Sequence, residues 1–219
     1  MIDRTDQADR RCRTVVRDAG LPTSKSQRTR QALLESAVQT IGREGFSGAT
    51  VSRITAGAGF AVGTLYLHFP SRQHLFDEVL AHVREAMLRD VNRAVRGATG
   101  YLDMEVRGFV AFFKHLQRNP WYIRIETEAR IWARATYEAH VADLAFRYVR
   151  ALRRCKQRGE LSGYADDELE ALAYMLMSAR KYLAMRYIMR DGKACPLPEW
   201  LREAYMRFVA HGLTGNGTE

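Results

Sequence analysis

Cysteine is scarce in this sequence. Its 219 residues contain three cysteines, Cys12, Cys155 and Cys195. Their number is odd, their spacings are long and no Cys-x-x-Cys pair occurs, which argues against a disulfide framework and against a zinc site. We therefore expect a protein of a reducing compartment that needs no metal and no cofactor.

Long apolar runs are absent as well. No segment approaches the roughly 20 consecutive apolar residues that span a bilayer. The start of the sequence, with its mixed arginines and aspartates, lacks the apolar stretch of a secretory signal. We expect no membrane association and a cytoplasmic location.

Catalytic motifs are also missing. The histidines at positions 68, 74, 82, 115, 140 and 211 are scattered, and neither an HExxH nor an EExxH pattern nor a nucleophile motif occurs. The sequence offers no reaction centre, and we expect that the protein is not an enzyme.

Basic residues are in excess. Lys plus Arg is 34 and Asp plus Glu is 25, which gives a formal net charge of +9 and a pI of about 9.7. Such a balance favours a polyanionic partner, nucleic acid above all. Charge alone leaves open a protein that is simply basic.

Apolar residues recur at helical spacing along most of the chain. Leu34, Ala37, Val38 and Ile41 follow the i, i+3, i+4, i+7 pattern, and Gly45 is expected to end that helix at positive φ. No alternation of the β type persists, so the fold class is all-α. The predicted helices cover 26–44, 50–57, 62–68, a long helix capped by Ser71, a helix closed by Asn119-Pro120, 121–134, 136–158, 166–189 and a last helix ending near Gly212.

Residues 50–69, TVSRITAGAGFAVGTLYLHF, form a helix, a glycine-containing turn and a short second helix. Such a unit presents its second helix as a rigid rod that fits the major groove of DNA. Four residues are spaced to form its small core: Ile54, Ala58, Phe60 and Leu65. Six others are left to face outward in part: Val62, Gly63, Thr64, Tyr66, Leu67 and His68. The alternative is an ordinary hairpin of two helices.

Residues 26–80 resemble the DNA-binding domain of the tetracycline-repressor (TetR) family. The resemblance rests on Ala37, Gly45, Phe46, Thr50, Val51, Ile54, Ala58, Gly59, Gly63, Thr64, Leu65, Tyr66, His68, Phe69, Ser71, Arg72, Leu75 and Phe76. It implies a ligand-responsive repressor that binds a palindromic operator in double-stranded DNA as a homodimer and is released by a small-molecule inducer. The domains are then a mobile basic arm (1–25), a helix-turn-helix domain (26–72) and a helical ligand-binding and dimerisation domain (73–219). A helical enzyme and an interaction protein that does not bind DNA are the alternatives.

Two departures from the family pattern concern the second helix of the motif. Ala61 stands where a Ser or Thr often caps that helix. Val62 and Leu67 stand where polar or basic residues are common, so their contacts can only be apolar, for example with thymine methyl groups.

The DNA-contacting residues follow from their chemistry. Thr64 and the backbone at Gly63 are candidates for base edges. Tyr66, His68 and Arg72 can donate to phosphate oxygens. The other candidates are Thr50 at the start of the second helix and the basic residues Lys25, Arg28 and Arg30 next to the arm.

The two last helices are candidates for a dimer interface. Helix 166–189 carries Leu172, Leu176, Ala179, Leu183, Ala184 and Tyr187, and the final helix carries Trp200, Leu201, Ala204, Tyr205, Phe208 and Val209. Two such helices from each of two chains would form a four-helix interface. The alternative is that these residues are buried inside one subunit.

A segment rich in aromatic and charged residues, 121–132, is the candidate lining of a ligand cavity. The predicted ligand-binding residues are Phe113, Trp121, Arg124, Glu128, Trp132, Tyr137, Tyr174 and Arg180. An arginine there suits a carboxylate or phosphate, so an apolar or aromatic carboxylate, or its acyl-CoA thioester, is the expected inducer. The alternative for each residue is ordinary core packing or a solvated helix face.

Overall fold

The computed structural model describes residues 24–190 and 192–213, and the predicted all-α fold is confirmed. Within the described residues, no helix combines the length and the apolar character that crossing a membrane requires. The predicted arm, except for its last two residues, lies outside this range, as does Cys12. The nine α-helices of the described residues are α1 (Lys25–Gly48), α2 (Val51–Gly57), α3 (Val62–His68), α4 (Arg72–Val95), α5 (Tyr101–Arg118), α6 (Tyr122–Trp132), α7 (Arg134–Gln157), α8 (Glu168–Leu183) and α9 (Glu199–Leu213).

Helices α1 to α3 form the head, which we define as residues 24–71. Ser24 Oγ accepts the Gln27 N–H at 3.2 Å, and Gln27 Oε1 accepts the Ser24 N–H at 2.8 Å. This capping box starts α1 slightly earlier than predicted, so Lys25 belongs to the helix and not to the arm. The regular part of α1 ends at Gly45, whose φ of 79° is the predicted left-handed conformation.

The core of the head is mostly apolar, with buried Ser36, Thr40 and Thr55 at its edge. Ile41, Phe46, Ile54 and Leu65 are completely buried, and they join α1 to both helices of the motif. Burying a side chain of this size contributes about 1.5–3 kcal/mol. Ala58 and Phe60 lie against the same core, as the sequence predicts.

Helix α4 connects the head to the body, which comprises the described residues from 72 onward. Ser71 Oγ accepts the His74 N–H at 3.0 Å and so provides the predicted cap. Phe76 meets Phe46 edge to face, with ring centroids 4.9 Å apart. The predicted apolar stripe of α4 is buried: Phe76, Val79, Leu80, Val83 and Met87.

The body is built from helix pairs. Helix α4 packs against α5, α7 against α8, and α5 against α9, while α6 contacts both α1 and α7. Phe109 of α5 stacks on Tyr205 of α9, with centroids 4.1 Å apart. Helix α6 therefore lies between the head and the rest of the body.

The predicted helix 166–189 ends earlier than expected. Helix α8 stops at Leu183 and is followed by a π-helical turn, Ala184–Ile188. A short antiparallel pair then joins β1 (Met189–Arg190) to β2 (Lys193–Ala194). Strands of two residues are too short to show alternation, which is why the sequence pattern did not reveal them.

Candidate nucleic-acid interface and ligand cavity

The outward face of α3 presents a short row of side chains to solvent. Val62, Tyr66 and Leu67 are exposed, Leu67 to 82%. Thr64 and His68 are half-buried beside them, whereas Leu65 on the inner face is completely buried. The structure thus places the predicted outward residues together on one surface of the head.

Gly63 lies in the middle of this surface. A methyl group at Gly63 would meet no protein atom within 4 Å, and its φ is not positive. Glycine inside a helix costs about 0.5–1 kcal/mol relative to alanine. The described residues therefore give no packing reason for a glycine at this position.

The start of α3 lacks a side-chain cap. Ala61 occupies the cap position without a side-chain hydrogen bond, as the sequence predicts. The first N–H groups of α3 therefore lack the acceptor that a Ser or Thr would supply.

The basic residues of the head divide into two groups. Lys25 and Arg28 are exposed and form no ion pair within residues 24–190 and 192–213. Arg53 instead pairs with Glu44. Arg30 pairs with Glu78 and lies over the Phe69 ring at 4.9 Å, so its guanidinium fastens α1 to α4 instead of extending toward the arm.

Arg72 is also engaged inside the protein. Its guanidinium donates to the Phe46 carbonyl and lies 4.8 Å from the centroid of the Phe76 ring. It holds the end of α1 against α4, and its contact with a phosphate stays a prediction. Thr50 Oγ1 accepts the Arg53 N–H at 3.3 Å and caps α2, so its contact with DNA stays a prediction too.

A cavity of about 160 Å³ lies inside the body, between α4, α5, α6, α7 and α8. We call it the body cavity. Its wall is mostly apolar, with side chains that include Met87, Leu88, Val91, Phe112, Ile123 and Leu144. The cavity is partly open to solvent, and its apolar wall with a few polar groups is typical of a small-molecule site.

The structure separates the predicted ligand-binding residues. Tyr137, Tyr174 and Arg180 line the body cavity, and their part in ligand binding stays a prediction. Phe113 is completely buried in the core beside Phe109. The remaining four lie on other faces of α6, away from the cavity: Trp121, Arg124, Glu128 and Trp132. A segment rich in aromatic residues indicates a helix that packs against others. Which face of that helix lines the cavity depends on the tertiary packing.

Trp121, Arg124 and Glu128 form what we call the α6 clamp, because they hold the end of α1. Glu128 Oε2 accepts the Phe46 N–H at 2.7 Å, and Arg124 Nη1 donates to the Arg43 carbonyl at 2.6 Å. Arg124 Nε also donates to Glu128 Oε1 at 2.8 Å. Trp121 lies so close to Gly42 that no Cβ would fit there.

A buried polar cluster behind the body cavity escaped the sequence reasoning. Glu105 of α5 is 0% exposed; its carboxylate pairs with Arg180 and accepts the hydroxyls of Tyr148 and Tyr205, the latter at 2.6 Å. Burial alone would raise the pKa of Glu105, but the Arg180 charge and the two hydroxyls lower it below its ordinary value. The available signal was a lone glutamate among the apolar residues of α5.

His140 in the cavity wall was missed as well. It is 2% exposed, and its Nδ1 has no hydrogen-bond partner within the described part of the chain. Burial, reinforced by the charge of Arg84, lowers the pKa of His140 to about 4, so its imidazole is neutral near pH 7.

Comparison with known proteins identifies the head. Residues 33–79 match the family model of bacterial regulatory proteins of the tetR family. A curated relative, the nucleoid occlusion factor SlmA of Escherichia coli O1:K1 / APEC, is 25% identical over 185 residues, which cover 81% of this chain and 91% of that protein.

Solved structures share the fold of most of the chain. A structure described as a TetR-family transcriptional regulator from Rhodococcus sp. has a TM-score of 0.70 at 16% identity and covers 85% of this chain and 98% of its own. The fatty acid degradation regulator FadR from Bacillus halodurans has a TM-score of 0.68 at 17% identity and covers 87% and 97%. Residues 33–79 therefore match the DNA-binding region of the bacterial regulatory proteins of the tetR family, and head and body together have the fold of these solved regulators.

Proposed function

We propose that the protein is a ligand-responsive repressor that binds a palindromic operator as a homodimer and is released by a small-molecule inducer. The observation that carries the DNA-binding part is the outward face of α3, with exposed Val62, Tyr66 and Leu67 around Gly63. Because Val62 and Leu67 cannot donate hydrogen bonds, whereas Tyr66 can donate to a phosphate, we infer that base readout relies on thymine methyl groups and on Thr64. A regulator of this kind acts in the cytoplasm, where bacterial DNA lies.

Selection of binding sites from random double-stranded DNA tests this function. A symmetric dimer should select two half-sites related by a two-fold axis, about one helical turn (roughly 34–36 Å) apart or a simple multiple of it. Selection of a non-repeating sequence would contradict the palindromic operator. A protein that enriches no DNA at all would favour the alternatives of a helical enzyme or an interaction protein.

The first variant to test is Gly63→Ala. The head should become more stable by about 0.4–1 kcal/mol, because alanine favours the helix and the site has room for its methyl group. Operator affinity should fall by about tenfold or more, since a disturbed base contact costs about 1–3 kcal/mol. Thermal unfolding and a gel shift on the selected operator measure the two effects.

Gly163→Ala is the matched control for this variant. Gly163 also has open space around it and no positive φ, but it lies in the loop between α7 and α8. The Gly163→Ala variant should leave operator affinity unchanged. Wild-type affinity in Gly63→Ala would mean that DNA does not approach α3 at this position.

The homodimer is supported by an exposed apolar surface on α8 and α9. Tyr182 and Met175 on α8 are 70% and 66% exposed, and Phe208 and Trp200 on α9 are 61% and 55% exposed. Several residues predicted for the interface belong to the subunit core instead: Leu172, Leu176, Ala184, Leu201, Tyr205 and Val209. The proposed interface therefore uses the opposite faces of the same two helices.

A double variant, Tyr182→Glu with Phe208→Glu, is expected to be monomeric at micromolar concentration where the wild type is a dimer. Burying two carboxylates in an apolar interface is far more costly than leaving them in water. Light scattering gives the mass directly. Phe146→Glu on α7 is the control, because Phe146 is equally exposed at 61%; a dimeric double variant would place the interface elsewhere.

The response to a ligand is supported by the two faces of α6. Tyr122, Ile123 and Glu126 line the body cavity, whereas the α6 clamp on the other side holds the end of α1. A ligand that displaces α6 would shift the head. In a dimer, the two heads must keep a fixed spacing to enter two successive major grooves of the DNA, so this shift would weaken DNA binding. By linkage, a ligand that prefers the displaced state weakens DNA binding by the same coupling free energy, typically about 1–3 kcal/mol.

A further inference from the structure

We propose that the body cavity binds an uncharged compound with about one ring and a hydroxyl group, and that His140 holds this hydroxyl. The inference rests on the proposed ligand response and names the chemistry of the ligand. Three features of the body cavity carry it: its size, the pairing of its charges, and the unpartnered nitrogen of His140.

The size of the cavity limits the ligand. Its volume of about 160 Å³ is similar to that of an apolar protein cavity that holds one benzene molecule, about 150 Å³. Because the cavity is partly open, an acyl-CoA thioester could place only a small part of its acyl chain there. The mostly apolar wall favours a compact ring.

The charges around the cavity are already paired. Lys181 Nζ lies 2.6 Å from Glu126 Oε2, and Arg180 pairs with the buried Glu105. These two cations and two anions balance, so no positive charge in the wall is left to neutralise a ligand carboxylate. An anionic ligand would have to displace Glu126 or Glu105 or remain unpaired in a desolvated site, which is unfavourable. This arrangement of charges therefore disfavours binding of the carboxylate ligand that the sequence predicted.

His140 and Arg180 each have a buried side-chain nitrogen in the wall without a partner among the described residues, Nδ1 and Nε respectively, and only the imidazole is uncharged. Buried nitrogen atoms in folded proteins are nearly always hydrogen-bonded, yet Nδ1 of His140 has no partner among the described residues. Arg84 from α4, Asp143 from α7 and Lys181 from α8 are the charged groups that act on it. Because burial and the two cations keep the ring neutral, one ring nitrogen donates and the other accepts. A hydroxyl can satisfy either role, since it both donates and accepts.

The test uses three probes that share one ring and one methyl group: p-cresol, toluene and 4-methylbenzoate. Isothermal titration calorimetry on the full chain measures the Kd of each probe. We expect p-cresol to bind about tenfold more tightly than toluene, because one net hydrogen bond contributes about that factor. We expect 4-methylbenzoate to bind most weakly.

Two variants of His140 identify the partner of the hydroxyl. His140→Phe keeps a ring but removes both nitrogens, so p-cresol and toluene should bind it with the same Kd. His140→Gln keeps a donor and an acceptor and should retain a preference for p-cresol. Thermal unfolding shows that each variant is folded, and if His140→Phe is not, the glutamine variant and the three wild-type titrations still decide the question.

Three results would overturn the inference: tightest binding of 4-methylbenzoate, equal Kd values for p-cresol and toluene in the wild type, or a p-cresol preference that survives in His140→Phe. Absence of binding by all three probes would overturn it too. A gel shift on the selected operator is a separate readout. If p-cresol binds through His140 but leaves the DNA complex intact, the ligand class stands and the proposed release by a ligand fails.

Discussion

Replacement of Glu105 by alanine is expected to lower the free energy of unfolding by about 3–5 kcal/mol, which is the usual cost of removing one partner of a buried ion pair. Arg180 would keep its charge with only 13% of its side chain exposed. The hydroxyls of Tyr148 and Tyr205 would lose their acceptor at the same time. Since the cluster joins α5, α7, α8 and α9, the loss should loosen the whole body.

Urea denaturation followed by circular dichroism, at one fixed protein concentration, measures this loss. Glu105→Gln should be milder, because an amide still accepts one hydroxyl although it loses the ion pair. Glu138→Ala is the control: Glu138 forms an exposed i, i+4 pair with Arg134, and exposed pairs of this kind contribute little. A Glu105→Ala variant as stable as this control would mean that the cluster does not hold the body together.

The sequence was most informative where single residues determine the backbone. Helix α3 has the predicted bounds, Val62–His68, because glycines precede it and Phe69-Pro70 follows it. Ser71 and Gly45 act through their own side chain or their own φ, and neither effect depends on a distant part of the chain. Such local chemistry can be read from one sequence.

The ligand cavity was less predictable because it depends on how long helices pack. Helix α6 is aromatic and charged on several faces, and nothing in its sequence says which face meets α1 and which meets the cavity. Tyr122, Ile123 and Glu126 turned out to line the wall, whereas Trp132 is half exposed at the end of the helix. The segment was correctly singled out, but the choice of residues within it required the tertiary contacts.

The contacts that charged residues make within the protein were unpredictable for a related reason. Arg30 and Arg72 have the position in the sequence of phosphate ligands, yet each lies over an aromatic ring and bonds to a group of the protein. A guanidinium can bind a phosphate or a group of the protein equally well. The elements packed around the arginine determine which of the two it contacts. The sequence alone shows that an arginine lies near the motif, but it does not show which group the guanidinium contacts.

Glu128→Ala is expected to remove the effect of the ligand on DNA binding while both binding sites remain intact. In the wild type, a coupling of about 1–3 kcal/mol corresponds to a change of roughly 5-fold to 150-fold in operator affinity. The variant removes the acceptor of the Phe46 N–H and the partner of Arg124. The end of α1 then keeps only the contacts of Trp121 and Arg124, which we expect to be insufficient to transmit a displacement of α6. Operator affinity with ligand should then stay within about twofold of that without it, because no coupling free energy remains.

The measurement is operator affinity with and without a compound that calorimetry has shown to enter the cavity. The Kd of that compound should be unchanged in Glu128→Ala, because Glu128 does not line the cavity. Glu85→Ala is the matched control, since Glu85 belongs to an exposed i, i+4 pair with Arg89 on α4, and it should respond to ligand as the wild type does. Release of DNA from Glu128→Ala at the wild-type ligand concentration would instead assign the coupling to α4, where Thr136 Oγ1 donates to Asp77 Oδ1 at 2.7 Å. Thr136→Val would then be the variant expected to lose the response.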